Sequence, residues 1–265
     1  MLAGLQLRSS DHPASAAAMA THADSGGLVV FRWFGAKPPP TLALPEQIAA
    51  TVGDRIVSGA IAPGARIIEQ DIASAFETSR GPVREALRIL EREGLIRLHP
   101  RRGARATQLS PQDVYDLFEI RAYLYQAVAR RLAEQRPPEA IRLLEDGVRE
   151  LRRLAEQTDS ADAYSQLSFR LSLGSVRLAG NPRLADMITS LALQTYRYTR
   201  LGLESRARRR SSVGMWQASL SAIRGGDVAT AMQMAERRIL AAREEVLRLL
   251  QSESKTAETN SRSRS

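Results

Sequence analysis

The sequence contains no cysteine, which excludes disulfides, thiol nucleophiles and thiolate metal sites. Histidine is nearly absent too: His12, His22 and His99 are the three, and none follows residue 99. No run of about 18 apolar residues occurs, so no transmembrane helix is expected. The opening residues lack the basic-then-apolar order of a secretory signal, and Ala3 to Ala20 is too polar to serve as one. A cytoplasmic protein without membrane contact is the expectation. Acids are short relative to bases, 29 against 38, for a net charge of +9. That excess favours a polyanionic partner such as nucleic acid, although a GC-rich genome would produce the same arginine-rich composition. Placement of the arginines therefore matters more than their number.

What is present divides into unlike blocks. Residues 1–40 mix Ser, Ala, His and Gly with a Lys37-Pro38-Pro39-Pro40 run and carry no helical period, so they read as a disordered leader. Its Phe31-Arg32-Trp33-Phe34 cluster is the one candidate for docking there. Residues 41–107 give three short helical patterns and a basic turn. Residues 110–251 give longer amphipathic helices without a strand signal, and 252–265 is a Ser-, Thr- and Arg-rich tail expected to be disordered. The boundary is marked by Ser110-Pro111-Gln112-Asp113, which offers an N-cap, a proline at the first helical position and an acid at the third. Six helices are expected in the second block, at about 111–135, 138–156, 161–179, 182–203, 207–224 and 227–251. Pro137-Pro138, Gly180-Asn181-Pro182 and Gly225-Gly226-Asp227 mark three of the breaks. Long helices joined by short turns imply an antiparallel bundle. The fold class is thus mainly α, a winged helix-turn-helix followed by an all-helical bundle.

In the front block a helix over Pro45 to Ser58 buries Ile48, Val52, Ile56 and Val57, and a second follows at Glu69 to Phe76. Glu77-Thr78-Ser79 is a polar turn whose Ser79 can cap a third helix, Arg80 to Glu93. Val83, Ala86, Leu87 and Leu90 form that helix's buried face, while Arg80, Arg84 and Arg88 recur every four residues along another. A recognition helix points its N-terminal end at base edges, so Arg80 and Arg84 reach deepest. An arginine fork can donate two hydrogen bonds to guanine, worth about 1–3 kcal/mol of discrimination. Ser79 and the first backbone amides suit a phosphate oxygen. Arg88 is the weaker member, because Glu91 stands one turn away and can pair with it. Leu95 to Leu98 and Arg105 to Thr107 read as strands around the basic turn His99 to Ala104. That hairpin is a wing whose Arg101, Arg102 and Gly103 can meet phosphate or the minor groove. A solvated arginine stripe is the plain alternative for the helix taken alone.

Ser79-Arg80-Gly81-Pro82-Val83-Arg84-Glu85-Ala86-Leu87, followed by Leu90-Glu91-Arg92-Glu93-Gly94-Leu95-Ile96, resembles the signature of the GntR family of bacterial regulators. The usual pattern has Thr where this chain has Gly81. An all-helical second block after such a head resembles the FCD class, named for the fatty-acid regulator's C-terminal domain. Arg121 within Leu117 to Leu124, Gly180-Asn181-Pro182 and Ala222 to Asp227 carry that likeness. In many relatives an Asp and three His hold a divalent metal there. The matching positions in this chain are Ser168, Ser172, Trp216 and Arg238, none of which replaces imidazole as a metal ligand. The resemblance therefore implies a metal-site-degenerate member, without metal or other cofactor.

Two readings of that cavity stand side by side. Arg121 and Arg238 can supply fixed charge, Ser168 and Ser172 hydroxyls and Trp216 a flat wall for a small organic or sugar acid. Alternatively the cavity has collapsed around Trp216, with the arginines paired to acids such as Glu119 and Asp186. The resemblance implies a homodimeric, DNA-binding transcription regulator on a pseudo-palindromic operator, a repressor more often than an activator. An enzyme is not expected, since no nucleophile–base pair, phosphate loop or metal spacing is present. A DNA-binding module without an effector is the other alternative.

Overall fold

The computed structural model describes residues 42–99 and 102–262. The leader, its aromatic cluster and Arg101 lie outside them. Helix α1 (Leu44–Val57) carries Pro45 in its first turn, and Glu46 folds back to accept a hydrogen bond from the Ala43 amide at 2.9 Å. Helices α2 (Glu69–Ala75) and α3 (Arg80–Arg92) follow with a short turn between them. The α3 helix stops at Gly94, whose φ of +70° is open to glycine at little cost. A Cβ there would also stand 2.5 Å from the Gln194 side chain.

The wing is a three-stranded antiparallel sheet in the order β1-β3-β2, built from β1 (Arg66–Ile67), β2 (Ile96–His99) and β3 (Gly103–Ala106). Sequence reading expects only the hairpin. The first strand escapes it because two residues are too short to show alternation. Ile48, Val52, Val83, Leu87, Leu90, Ile96 and Ala104 close the core of this head.

Six helices follow: α4 (Pro111–Gln135), α5 (Pro138–Glu156), α6 (Ala161–Leu178), α7 (Pro182–Gly202), α8 (Arg206–Gly225) and α9 (Val228–Arg262). The α4 cap forms as its residues dictate: the Ser110 amide donates to Asp113 Oδ2 at 2.8 Å and the Asp113 amide donates to Ser110 Oγ at 3.1 Å. Helix α4 packs against α6, α7, α8 and α9, which places it at the centre of the bundle. The α9 helix continues to Arg262, where a disordered tail from residue 252 was expected. No Pro or Gly interrupts 228–262, and a nucleated helix propagates without needing an apolar stripe.

Helix α7 joins the two blocks. Tyr198 Oη accepts from the Leu109 amide at 3.0 Å, and Arg197 donates to the Thr107 carbonyl at 3.2 Å. Arg200 donates to the Ser58 carbonyl at 3.1 Å and pairs with Asp162. Among the described residues no helix is long and apolar enough to cross a membrane.

Candidate nucleic-acid interface and helical-domain cavity

Helix α3 buries Val83, Ala86, Leu87 and Leu90 against the head core, and that leaves Arg80, Arg84 and Arg88 exposed on its other side. Two of them are held by α2. Arg80 donates from Nε and Nη2 to Gln70 Oε1 at 3.1 and 2.9 Å, and Arg84 Nε pairs with Glu69 at 3.0 Å. An exposed pair of this kind is worth about 0–1 kcal/mol, less than a bidentate guanine contact, so Arg84 can exchange it for a base edge. Arg88 does not pair with Glu91 as the spacing suggested. Glu91 Oε1 instead accepts from the Leu98 amide at 2.9 Å, which ties the end of α3 to the wing. Ser79 occupies the N-cap position in extended backbone, yet its hydroxyl makes no capping bond. The cap expected of it is absent, and the hydroxyl faces an exposed helix start. At the wing tip Arg102 is exposed and Gly103 takes φ +79°, a left-handed value suited to glycine.

The helical block encloses a cavity of about 60 Å³ lined by α4, α6, α7, α8 and α9. Arg121, Ser168, Ser172 and Arg238 line it together with Tyr125, Ser165, Tyr196, Thr199, Arg208, Ser212 and Glu245. Trp216 stands one layer back and is not part of the wall. Its indole Nε1 donates to Ser168 Oγ at 3.3 Å, and the Arg238 guanidinium lies 3.6 Å from its ring centre. The position read as a flat wall for a ligand is therefore a platform for an arginine.

The charges are unbalanced. Arg121 Nη1 donates to Thr195 Oγ1 at 2.6 Å, and the guanidinium stacks near Phe118 and Tyr125. Burial lowers its pKa, with Tyr125 acting the other way. Arg238 is half-buried, and its Nε is shut off from solvent with no hydrogen-bond partner. Burial, with the neighbouring Arg121 adding repulsion, pushes it down to about 10 despite the offsetting pull of Tyr125 and Tyr164. It remains a cation at neutral pH. Arg208 on α8 also has a buried nitrogen, Nη1, without a partner. Glu119 is exposed and Asp186 sits near Glu93 and Arg177, so neither acid neutralises Arg121 or Arg238. Glu245, the acid in the lining, is paired with Arg248 and also attracts Arg208, so it leaves Arg121 and Arg238 without an acid.

Sequence reading did not find Arg208, Tyr125 or Tyr196. Tyr125 lies one turn beyond Arg121 and was accessible to helical spacing, whereas Arg208 is hidden in the Arg206 to Arg210 run. The donor set at the four positions that the resemblance matches to metal ligands is two hydroxyls, an indole N–H and a guanidinium. Two of those hydroxyls are already engaged, Ser172 donating to Tyr125 Oη at 2.9 Å and Ser168 accepting from Trp216. Such a set, with a guanidinium among its members, does not fit a divalent metal.

Two family models match the chain. The model described as "Bacterial regulatory proteins, gntR family" matches residues 44–105, and the FCD domain matches residues 116–241. Among curated relatives, the chain is 36% identical over 95 residues to the uncharacterized HTH-type transcriptional regulator YdhC of Bacillus subtilis, covering 36% of this chain and 42% of that one. It is 33% identical over 128 residues to the HTH-type transcriptional repressor RspR of Escherichia coli, covering 48% and 56%. The chain thus spans about half the length of the curated relatives it matches. The solved structure of McbR/YncC of E. coli shares the fold at a TM-score of 0.67 and 19% identity, covering 79% of this chain and all of that one.

Proposed function

The chain belongs to the GntR family of bacterial regulators, with an FCD domain as its second block, and from that premise we propose that it is a homodimeric transcription repressor controlled by a small anionic ligand bound without metal. The observation that carries the DNA reading is the exposed arginine edge of α3. Arg80 and Arg84 are exposed, and α2 holds them only through an amide and one half-exposed carboxylate. They read bases, Ser79 and Arg88 contact the backbone, and Arg101, Arg102 and Gly103 form the wing contact.

The observation that carries the ligand reading is the surplus positive charge in the cavity. Three arginines line it against one already paired acid. An anion entering there meets buried donors that lack partners. Hydroxyls and guanidiniums without imidazole or thiol suit binding rather than acid–base chemistry. The cavity reaches the head through α7, because Thr195 and Thr199 face Arg121 and the ligand space while Arg197, Tyr198 and Arg200 hold the linker and α1. A ligand that favours one setting of that helix biases the spacing of the two heads.

The DNA reading is tested by titrating wild type and Arg84→Ala against the tightest duplex that the wild type recovers from a random pool. Loss of one bidentate contact weakens that binding by about tenfold or more, with the fold intact by circular dichroism. Equal affinities would remove Arg84 from the groove.

A further inference from the structure

The wing sheet sets three arginines in a row. Arg66 on β1 lies opposite Arg105 on β3, and Arg97 on β2 lies opposite the same Arg105. Directly paired residues share one face, and adjacent strands are about 4.8 Å apart, so the row is about 10 Å wide. The other face is the core side, where Ile67, Ile96, Ala104 and Ala106 are buried. All three arginines are exposed. Arg105 Nη1 donates to the Gly64 carbonyl at 2.8 Å, and none of the three enters an ion pair among the described residues. Asp113 feels the charge of Arg97 but is committed to the Ser110 cap.

Like charges placed directly opposite in a sheet repel, and here no acid interleaves them. A polyanion relieves that repulsion. The strands β2 and β3 run on from the row to the wing tip, where His99 pairs with Gly103, two residues and about 7 Å away. About 10 Å of duplex axis carries about three phosphates on each strand, which matches the row in width and charge.

We propose that the outer face of the wing sheet is a second phosphate-binding surface, on which Arg66, Arg97 and Arg105 neutralise the DNA backbone. The inference rests on the DNA-binding reading and deepens it. These residues add affinity without sequence preference, because phosphates carry none.

The test uses the full chain and its R66Q/R97Q/R105Q variant. Each is titrated by fluorescence anisotropy, between about 50 and 300 mM salt, against the selected duplex and a random duplex of about 30 base pairs. Each lost phosphate contact lowers the slope of log K against log salt by about 0.9, so the variant's slope falls by about 2–3 on both duplexes. Affinity falls on both by a similar factor, about tenfold or more near 100 mM, and the ratio between them is kept. The R66K/R97K/R105K variant retains the wild-type slope. Should the triple glutamine variant misfold, each single Arg→Gln change is expected to lower the slope by about 0.9. A wild-type slope in the folded variants overturns the proposal, and so does a loss confined to the selected duplex. A wild-type chain that binds neither duplex sinks the DNA reading itself, and this surface with it.

Discussion

Arg238 shows how a single residue can be costly in one state and useful in another. A guanidinium without an acid beside it is destabilising, even when an aromatic ring at 3.6 Å recovers part of the loss. An anion in the cavity removes the penalty, so the unliganded and liganded proteins should respond oppositely to its loss. Arg238→Met replaces the charge by an apolar group of similar length that still packs on Trp216. The unliganded variant is expected to melt within about 2 °C of wild type or above it. In a thermal-shift panel of mono- and dicarboxylates, sugar acids and phosphate, at least one compound should raise the wild-type midpoint. Saturation near 100 times Kd corresponds to about 2.7 kcal/mol, or roughly 5–10 °C for a chain of this size, and Arg238→Met should lose that shift. A less stable variant, with no compound acting on wild type, would instead favour the collapsed cavity. At this scale the site was half legible. Arg121, Ser168, Ser172 and Arg238 could be named from their positions, but Trp216 was put in the wall because a sequence cannot show which ring another side chain covers.

At the scale of elements, the junction of α3 with α7 carries a half-buried carboxylate. Glu93 follows the last residue of α3, and burial raises its pKa, outweighing a Ser190 hydrogen bond and Arg92 that act the other way. One of its oxygens, Oε2, is buried with no partner. The sign follows directly. A carboxyl whose folded pKa lies above its unfolded value binds protons more tightly when folded, so stability falls as pH rises from the ordinary glutamate range through the raised value. Glu93→Gln removes the charge and keeps the shape. Urea unfolding at pH 7–8 should find the variant more stable than wild type, with the difference vanishing near pH 4. A variant less stable at pH 8 would show that the ionised carboxylate holds the two blocks together. The helices themselves were readable to within a residue or two at most ends, because Ser110, Pro111, Pro138, Asn181, Pro182 and Gly226 act within a single turn. Strand β1 was not readable, since its existence depends on β3 lying alongside it.

For the whole molecule, the exposed apolar surface gives a test of the homodimer proposed above. Ile120 and Tyr123 on α4 are 47% and 64% exposed, and Met187 on the adjoining α7 is 54% exposed. Residues 120 and 123 are three apart and share a helix face, and large apolar groups so placed are the material of interface cores. If that face joins two copies, Ile120→Asp puts an unpaired charge at its centre. Sedimentation is then expected to show a monomer at concentrations where wild type is a dimer, with a rise in the dimer dissociation constant of about tenfold or more. Operator affinity should fall with it, because each monomer keeps one half-site contact. A variant that still sediments as a dimer would move the interface elsewhere.

The sequence by itself determined the mainly helical class, the Ser110 cap at which the long helices begin, the exposed arginine edge of α3, and the absence of His and Cys after residue 99. Each of these is written in caps, breakers, a 3.6-residue period or side-chain identity, all of which act within a few residues. Tertiary structure decided what lies between distant segments: Arg121 and Arg238 brought around one tyrosine ring, Tyr198 reaching the Leu109 amide, and Arg66 aligned with Arg105 and Arg97 across three strands. Those placements follow from packing and strand register, which depend on the whole core at once and leave no mark in any local window of the chain.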